Sequence, residues 1–360
     1  MTISLKLSKK AQEVFNTAIQ NELASLESLR LRKLEEYNTR KKIIFTIGLP
    51  IILVVSYIEH LVNDSNAFAF IVMTFLLGSM LYIIKPKKQF KSFYLNIFKD
   101  KFVKSFFKQL FDYTYEDSAD SMEEKLRGYQ LLKGFNRYKG EDYFYGIVDN
   151  DIKLEFAEVD VSLRNGNEEY HGFAGGVVLL TMPFSFNSHT VVNSKALKSN
   201  VKNIYKDLDK IKTDKPILSK YFTVMSNDKH RAFQLLSSSF TKILTDTSVR
   251  LHELFNEEFS ALSPDFEQRI EGNKKEGIDD EMNTATLEIE VKDNKVLILI
   301  RGQYDFLAPA DLKTSVYCTQ RLAVIEQQME LIANLARQLK LDYLKERKMA
   351  VNKSTQTKND

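Results

Sequence analysis

One cysteine, Cys318, stands in 360 residues, so no intrachain disulfide can form. That usage fits a reducing compartment. Histidine is scarce: His60, His171, His189, His230 and His252 are the full set. No two are spaced like metal ligands and Cys318 has no partner, so no zinc motif exists. There is no P-loop and no G-x-G-x-x-G. The nearest imitation, HGFAGG at 171–176, leads into a strand pattern and offers no helix N-terminus to an anion. No cofactor is expected. An excess of one charge is also missing: 51 basic against 48 acidic residues leave +3.

Charge is absent altogether from two long stretches. IIFTIGLPIILVVSYIEHLV, 43–62, carries none over its first sixteen residues, and AFAFIVMTFLLGSMLYII, 67–84, carries none over eighteen. At about 1.5 Å per residue, such runs reach roughly 27–30 Å, the thickness of a bilayer core. Core helices rarely lack charge on every face over this length. The first 42 residues are too long and too charged for the start of a signal peptide. Arg30, Arg32, Lys33, Arg40, Lys41 and Lys42 precede the first run, Lys85, Lys87, Lys88 and Lys91 follow the second, and 59–66 between them has no lysine or arginine. The positive-inside rule then predicts two transmembrane helices with both termini cytoplasmic. Glu59 is the only charge in either run and lies near an end, which speaks against an ion path.

From Lys85 to Leu110 there are eight lysines and one aspartate, with aromatics interleaved. A juxtamembrane stretch of this kind is drawn to anionic inner-leaflet lipid, and Lys85, Lys87, Lys88, Lys91 and Lys99 are its candidate contacts. A nucleic-acid patch is the other basic-plus-aromatic reading, but nothing else in the chain supports it. Phe90, Phe93, Tyr94 and Ile97 share one helical face; Phe102, Phe106 and Leu110 share nearly the opposite one. Either the helix breaks near Lys99–Lys101 or its halves bury against different partners.

Residues 1–42 have helical spacing, with Phe15, Ala18, Ile19, Leu26 and Leu29 on one face. Beyond 112 the signals are mixed. A helix is predicted over 121–132 and strands over 142–150 and 152–164. In the second strand Ile152, Leu154 and Phe156 share one phase but Val159, Val161 and Leu163 the other, which predicts a bulge or break near Ala157. Asn165-Gly166 is a hairpin signal. YFTVMS is a short strand, and Asp228 is a cap for the helix after it. The stretch 189–214 is not legible. EQRIEGNKKEGIDDEMN is a charged linker. TATLEIEV alternates, turns at Asp293-Asn294 and pairs with KVLILI, which is apolar enough to sit centrally in a sheet.

Pro309 opens a final helix in which Leu322, Ile325, Met329, Ile332, Ala336, Leu339 and Tyr343 step by three and four, an a/d seam over three heptads. Its expected partner is the N-terminal helix, a second copy, or the domain itself. Glu155, Glu158 and Asp160 lie close on one strand, Glu158 and Asp160 on one face; carboxylate pairs can do acid–base work, but a solvated strand edge is the expected reading. Ser237-Ser238-Ser239 reads as surface or small-residue packing, and His230 as part of a helix start.

The order of several short motifs is distinctive. Gly140-Glu141-Asp142 with Gly146 is followed by Phe173-Ala174-Gly175-Gly176. Phe222 to Asp228 follows, then Ala232 and Leu235-Leu236, and last Phe306 and Pro309. Over roughly 40–320 this resembles the bacterial membrane-protein family called domain of unknown function 3137. The sequence departs from that pattern at Leu307-Ala308, where an acidic residue is expected, and in lacking a proline in the helix after Asp228. The resemblance implies a bacterial inner-membrane protein and implies no reaction.

Together these readings give an α+β fold class: a two-helix transmembrane hairpin plus a cytoplasmic mixed sheet and helix domain with long N- and C-terminal amphipathic helices. The expected division is an amphipathic helix (1–42), the hairpin (43–84), a basic aromatic helix (85–111), the α+β domain (112–308), the C-terminal helix (309–348) and a disordered tail (349–360). The expected function is a membrane-tethered, non-enzymatic binding or scaffold module at the inner membrane. Its expected partners are anionic lipid and an unidentified protein, or a second copy through Leu322, Ile325, Met329, Ile332 and Leu339. The alternatives are a membrane-bound enzyme acting on a lipid or nucleotide-like ligand, and an accessory subunit of a transport complex.

Overall fold

The computed structural model describes residues 6–63, 72–75, 77–79, 82, 94, 96–165, 168–195, 207–262, 287–301, 315–317 and 319–356. The chain divides into two compact units. One comprises Met1–Gln12, Phe106–Leu307 and Thr319–Asp360; the other comprises Glu13–Ser105 and Ala308–Cys318.

The first unit is built on a nine-stranded sheet in which every neighbouring pair is antiparallel. Its strands are β1 (Thr114–Ser118), β2 (Arg137–Val148), β3 (Ile152–Asn165), β4 (Glu168–Thr181), β5 (His189–Ser194), β6 (Asp209–Ile211), β7 (Phe222–Ser226), β8 (Leu287–Lys292) and β9 (Lys295–Arg301), in the order 1-2-3-4-9-8-5-7-6. KVLILI thus occupies the middle of the sheet, as its unbroken apolarity predicts: a strand covered on both faces has no solvent side to make polar. β5 falls in the stretch that the sequence left illegible. Asp149 and Asn150 both take positive φ in the β2–β3 turn, a three-residue loop, 149–151, closed by the Val148–Ile152 pair. Asp293 does so in the turn joining β8 to β9.

The phase change on β3 has a cause other than the predicted break in that strand. Ile152, Leu154 and Phe156 are buried on one face, and Glu155, Ala157, Val159 and Val161 on the other. β3 pairs with β4 without interruption from Lys153 to Val161. Both phases are apolar because the two faces are covered along different lengths. The extra residue lies across the ladder: Phe144 pairs with Phe156 and Glu141 with Glu158, so Asp142 and Tyr143 together oppose Ala157. Asp142 takes φ 55° there and is fully buried, its carboxylate accepting from the Tyr115 hydroxyl at 2.5 Å.

Helices cover one face, called here the helical face. α4 (Lys104–Phe111) sets Phe107 on Phe144, ring centroids 4.7 Å apart, and Phe144 stacks on Phe156 at 4.6 Å. α6 (Pro216–Tyr221) packs on β7. α7 (Lys229–Leu235) starts at Asp228, whose side chain accepts from the Arg231 amide at 3.0 Å, the cap expected from the sequence. α8 (Ser238–Leu262) packs along α9 (Thr319–Gln356), which runs past Asn352, where the sequence predicts a tail. Lys340 of α9 donates to Asp149 and Asp151 at 2.7 and 2.6 Å, fixing the helix to the β2–β3 turn. A shorter cap, α5 (Asp120–Arg127) and a 3₁₀ turn Gln130–Leu132, covers the other face.

The second unit contains α2 (Gln20–Ile43) and α3 (Leu49–Asn63), joined by a π-turn at Ile44–Gly48; a short helix, α1 (Lys9–Val14), and another π-turn, Phe15–Ile19, precede α2. The transmembrane hairpin predicted at 43–62 and 67–84 is not what this unit shows. No helix among the described residues is long and apolar enough to cross a membrane. The first apolar run opens at the end of α2, whose last turn carries Arg40, Lys41 and Lys42, passes through the π-turn and continues as α3, which has 15 residues, about 22 Å against the roughly 30 Å of a bilayer core. Of the second run only 72–75, 77–79 and 82 are described. The multi-pass, inner-membrane placement built on those spans is withdrawn with them. What the two runs do show is contact with each other: a Cβ on Gly48 would stand 3.1 Å from the Phe75 ring. Arg40, just before the first run, lies 5.0 Å from the centroid of Tyr82 in the second. In the basic aromatic stretch, the phase change is absorbed by a π-turn at Lys99–Val103 instead of a break. Tyr94, Phe98 and Phe102 are all buried across it.

Gly146, a motif glycine, is paired opposite Leu154 on the helical face of β2. A Cβ there would stand 2.1 Å from the ring of Tyr113, which is itself stacked between Phe111 and Phe144. Gly146→Ala should therefore cost about 1–3 kcal/mol by overpacking. Urea denaturation measures this, and a Tyr113→Ala background should remove most of the difference.

Candidate functional site

The capped face of the sheet carries three carboxylates that alternation places among buried apolar residues. Glu155 on β3 pairs across Leu179 and Leu297 to Glu290 on β8, all in one row, and Glu288 lies two residues from Glu290. Each is buried and each is answered. Glu155 accepts from Lys125 of α5 and from the Tyr143 hydroxyl at 2.6 Å. Burial alone would raise its carboxyl, but these two hydrogen bonds outweigh it and hold the group below the ordinary range. Glu288 accepts from Arg301 at 2.9 Å. There burial prevails over the guanidinium and pushes the carboxyl up.

Glu290 is fully buried and makes the longest reach in sequence. Its two oxygens accept from the backbone amides of Gln130 and Leu131 at 3.0 and 2.9 Å, which open the 3₁₀ turn, and from His189 Nε2 at 2.8 Å. His189 is fixed through its backbone as well. Its amide donates to Asn227 Oδ1 at 2.9 Å, and its carbonyl accepts from the Asn227 amide at 3.2 Å and the Ser226 hydroxyl at 3.1 Å. The motif Phe222–Asp228 thus ends in side chains that hold the start of β5 while Asp228 caps α7. Tyr129, just before the two amides, is 6% exposed; burial beside Glu290 and Glu155 pushes its phenol up, so it stays protonated. Chemically, the cluster is an imidazole oriented by a buried carboxylate, with a phenol beside it. No group of three or more metal-ligating side chains is assembled among the described residues.

The residues singled out from sequence fall elsewhere. Lys85, Lys87, Lys88 and Lys91 lie outside the described residues, and Lys99 is buried in the π-turn. Leu322, Ile325, Met329, Ile332 and Leu339 are all buried on α9, which packs along α8. Arg250 of α8 donates to Gln327 at 3.0 Å, and Asp342 accepts from Ser237 and Ser239 at 2.5 and 2.8 Å. The seam is thus occupied inside its own chain, and the serine run ties two helices together. Glu158 is partly exposed and Asp160 exposed, which separates them from Glu155. His171 to Gly176 form part of β4. Sequence reasoning missed His189, Glu290, Tyr129 and Gln130. One signal was available: Glu288 and Glu290 alternate on the strand paired with KVLILI, so they had to be either solvated or buried with partners.

A family model described as "Protein of unknown function (DUF3137)" matches residues 171–261, the family whose motif order the sequence resembles. The match takes in β4 through α8, including His189 and Ser226-Asn227-Asp228 but not Glu290. No curated protein matches the chain. Among solved structures, the mycobacterial trehalose monomycolate transport factor A, TtfA, is similar at 10% identity and a TM-score of 0.26 over 63% of this chain and 88% of that one.

The depressed carboxyl of Glu155 sets a pH dependence. Its contribution is present above the range in which the unfolded chain's carboxylates ionise, and is lost as pH falls through the lower folded-state value. The stability difference between the wild type and Glu155→Gln should be largest near neutral pH and shrink on acidification. Urea denaturation from about pH 7 to about pH 3 checks this; a difference that does not vary with pH would remove the ionised Glu155 from the account.

Proposed function

We propose that the protein is a non-enzymatic binding module whose apolar helical segment around α3 docks on an apolar surface of a partner protein. The observation that carries this reading is exposure. Ile47, Ile51, Val54, Tyr57 and Ile58 are 53–60% exposed, and Met73 and Leu77 of the adjoining run are exposed as well. Large contiguous apolar patches are rare on monomeric proteins unless something binds them. The buried carboxylates of the sheet fit the same reading, since their partners are segments of this chain that they hold in place. A second reading, an enzyme acting on a lipid or nucleotide-like ligand, is favoured by one observation: an imidazole oriented by a buried carboxylate is the arrangement of a general base.

A photo-cross-linking amino acid at Val54, with one at the exposed Lys345 as control, tests the docking surface in cells. The expected outcome is one discrete protein adduct from Val54 only, lost when Leu53 and Ile58 become Asn. Adducts to lipid alone, or the same adducts from both positions, would overturn the reading.

A further inference from the structure

The exposed side chains around α3 form a pattern. Ile47, Ile51, Val54 and Ile58 are each more than half exposed and step by four, three and four, the spacing of a coiled-coil seam. One side of this segment already meets the second apolar run, at Gly48 and Phe75, and the seam is what that contact leaves open. No charged residue stands from Ile43 to Ile58, so nothing along the seam repels a like surface. Charge is confined to the two ends: Arg40, Lys41 and Lys42 precede the seam and Glu59 follows it. A strip that is basic, then apolar, then acidic is complementary to a copy of itself laid in the opposite direction.

We infer that the occupant of this surface is a second copy of the chain, paired antiparallel about a two-fold axis beside Pro50 and Ile51. The inference rests on the docking reading of α3 and names its partner. That axis sets Ile51 near its counterpart, Ile47 opposite Val54, Ile43 opposite Ile58, and Lys42 opposite Glu59 of the second copy. One surface then serves both copies, as an isologous interface requires. Parallel pairing would instead bring the two basic ends together, a like-charge juxtaposition that works against association. The size of the surface is sufficient. With Phe45, Val55 and Tyr57 beside the seam and Met73, Leu77 and Tyr82 on the adjoining run, all about half exposed or more, each copy offers on the order of 1,000 Å², and a stable interface takes roughly 800 Å² from each partner.

Sedimentation velocity of the purified full chain over a range of concentrations should show a reversible dimer. Ile51→Asn and Ile58→Asn should each raise its dissociation constant about tenfold or more, the scale of removing one aliphatic side chain from an interface. Cross-linking reads the direction of pairing. With Cys318→Ser throughout, each introduced cysteine is the only one of its kind in the chain. Mild oxidation should link copies carrying Ile51→Cys, which meet at the axis, and leave copies carrying Ile58→Cys unlinked. Ile43→Cys combined with Ile58→Cys should restore the link. If an Asn variant fails to fold, the cysteine pattern decides alone. A monomer at every concentration, or Ile58→Cys linking as readily as Ile51→Cys, overturns the inference. A monomer that still gives a discrete adduct from Val54 to a different protein removes the second copy as partner and leaves the docking reading standing; adducts to lipid alone remove both.

Discussion

Glu290 is the point on which the sheet unit depends. A carboxylate in the middle of a sheet, on a face with no water, must be surrounded by donors or be protonated. Its donors come from three distant places: two amides of the cap at 130 and 131, and the ring of His189 at the start of β5. One group thus ties the cap, the central strands and the family-matched segment together. Replacing it by an apolar residue would leave two amides and an imidazole unsatisfied in the interior. Glu155 does the same for the cap's helix through Lys125, and Glu288 for the end of β9 through Arg301. The capped face is consequently held by charge as well as by its apolar contacts.

Two local devices keep long elements in phase with what covers them. On β2 the bulge at Asp142-Tyr143 lets Tyr143 face Glu155 on the capped side while Phe144 meets Phe156 on the helical side. In the aromatic helix the π-turn at Lys99–Val103 lets Tyr94, Phe98, Phe102 and Phe106 all remain buried although they step by four. A regular α-helix turns a spacing of four steadily round its axis, and a wider turn takes up that drift. The sequence displays a periodicity fault in the aromatic helix itself and, for the bulge, on the neighbouring strand β3. It records that the phase changes, and does not say whether the chain breaks, bulges or widens its turn.

The helices around α3 present the opposite problem from the sheet. In the sheet unit the three carboxylates Glu155, Glu288 and Glu290 are buried and answered; here apolar groups are exposed. The two apolar runs touch at Gly48 and Phe75, and Arg40 just before the first lies over Tyr82 of the second, yet that contact leaves most of α3 uncovered. Hydropathy reads 43–62 as a membrane span, whereas no helix among the described residues is long and apolar enough to cross one; a π-turn at 44–48 lies inside that run.

Much of the framework was legible in the sequence. The two-residue turn at Asp293-Asn294, the cap at Asp228 and the central position of KVLILI were all determined locally, by backbone preference, side-chain capping or unbroken apolarity. The seam at Leu322 to Leu339 was legible as a buried stripe, but periodicity carries no information about the partner, and only the fold placed α8 against it. The strand at 189–194 and the cluster of His189, Glu290, Tyr129 and Gln130 were decided by tertiary structure alone. A buried carboxylate and its donors are brought together by strand order, here across more than a hundred residues, and nothing in the spacing of Tyr129, His189 and Glu290 along the chain records that β8 lies beside β5 beneath the cap.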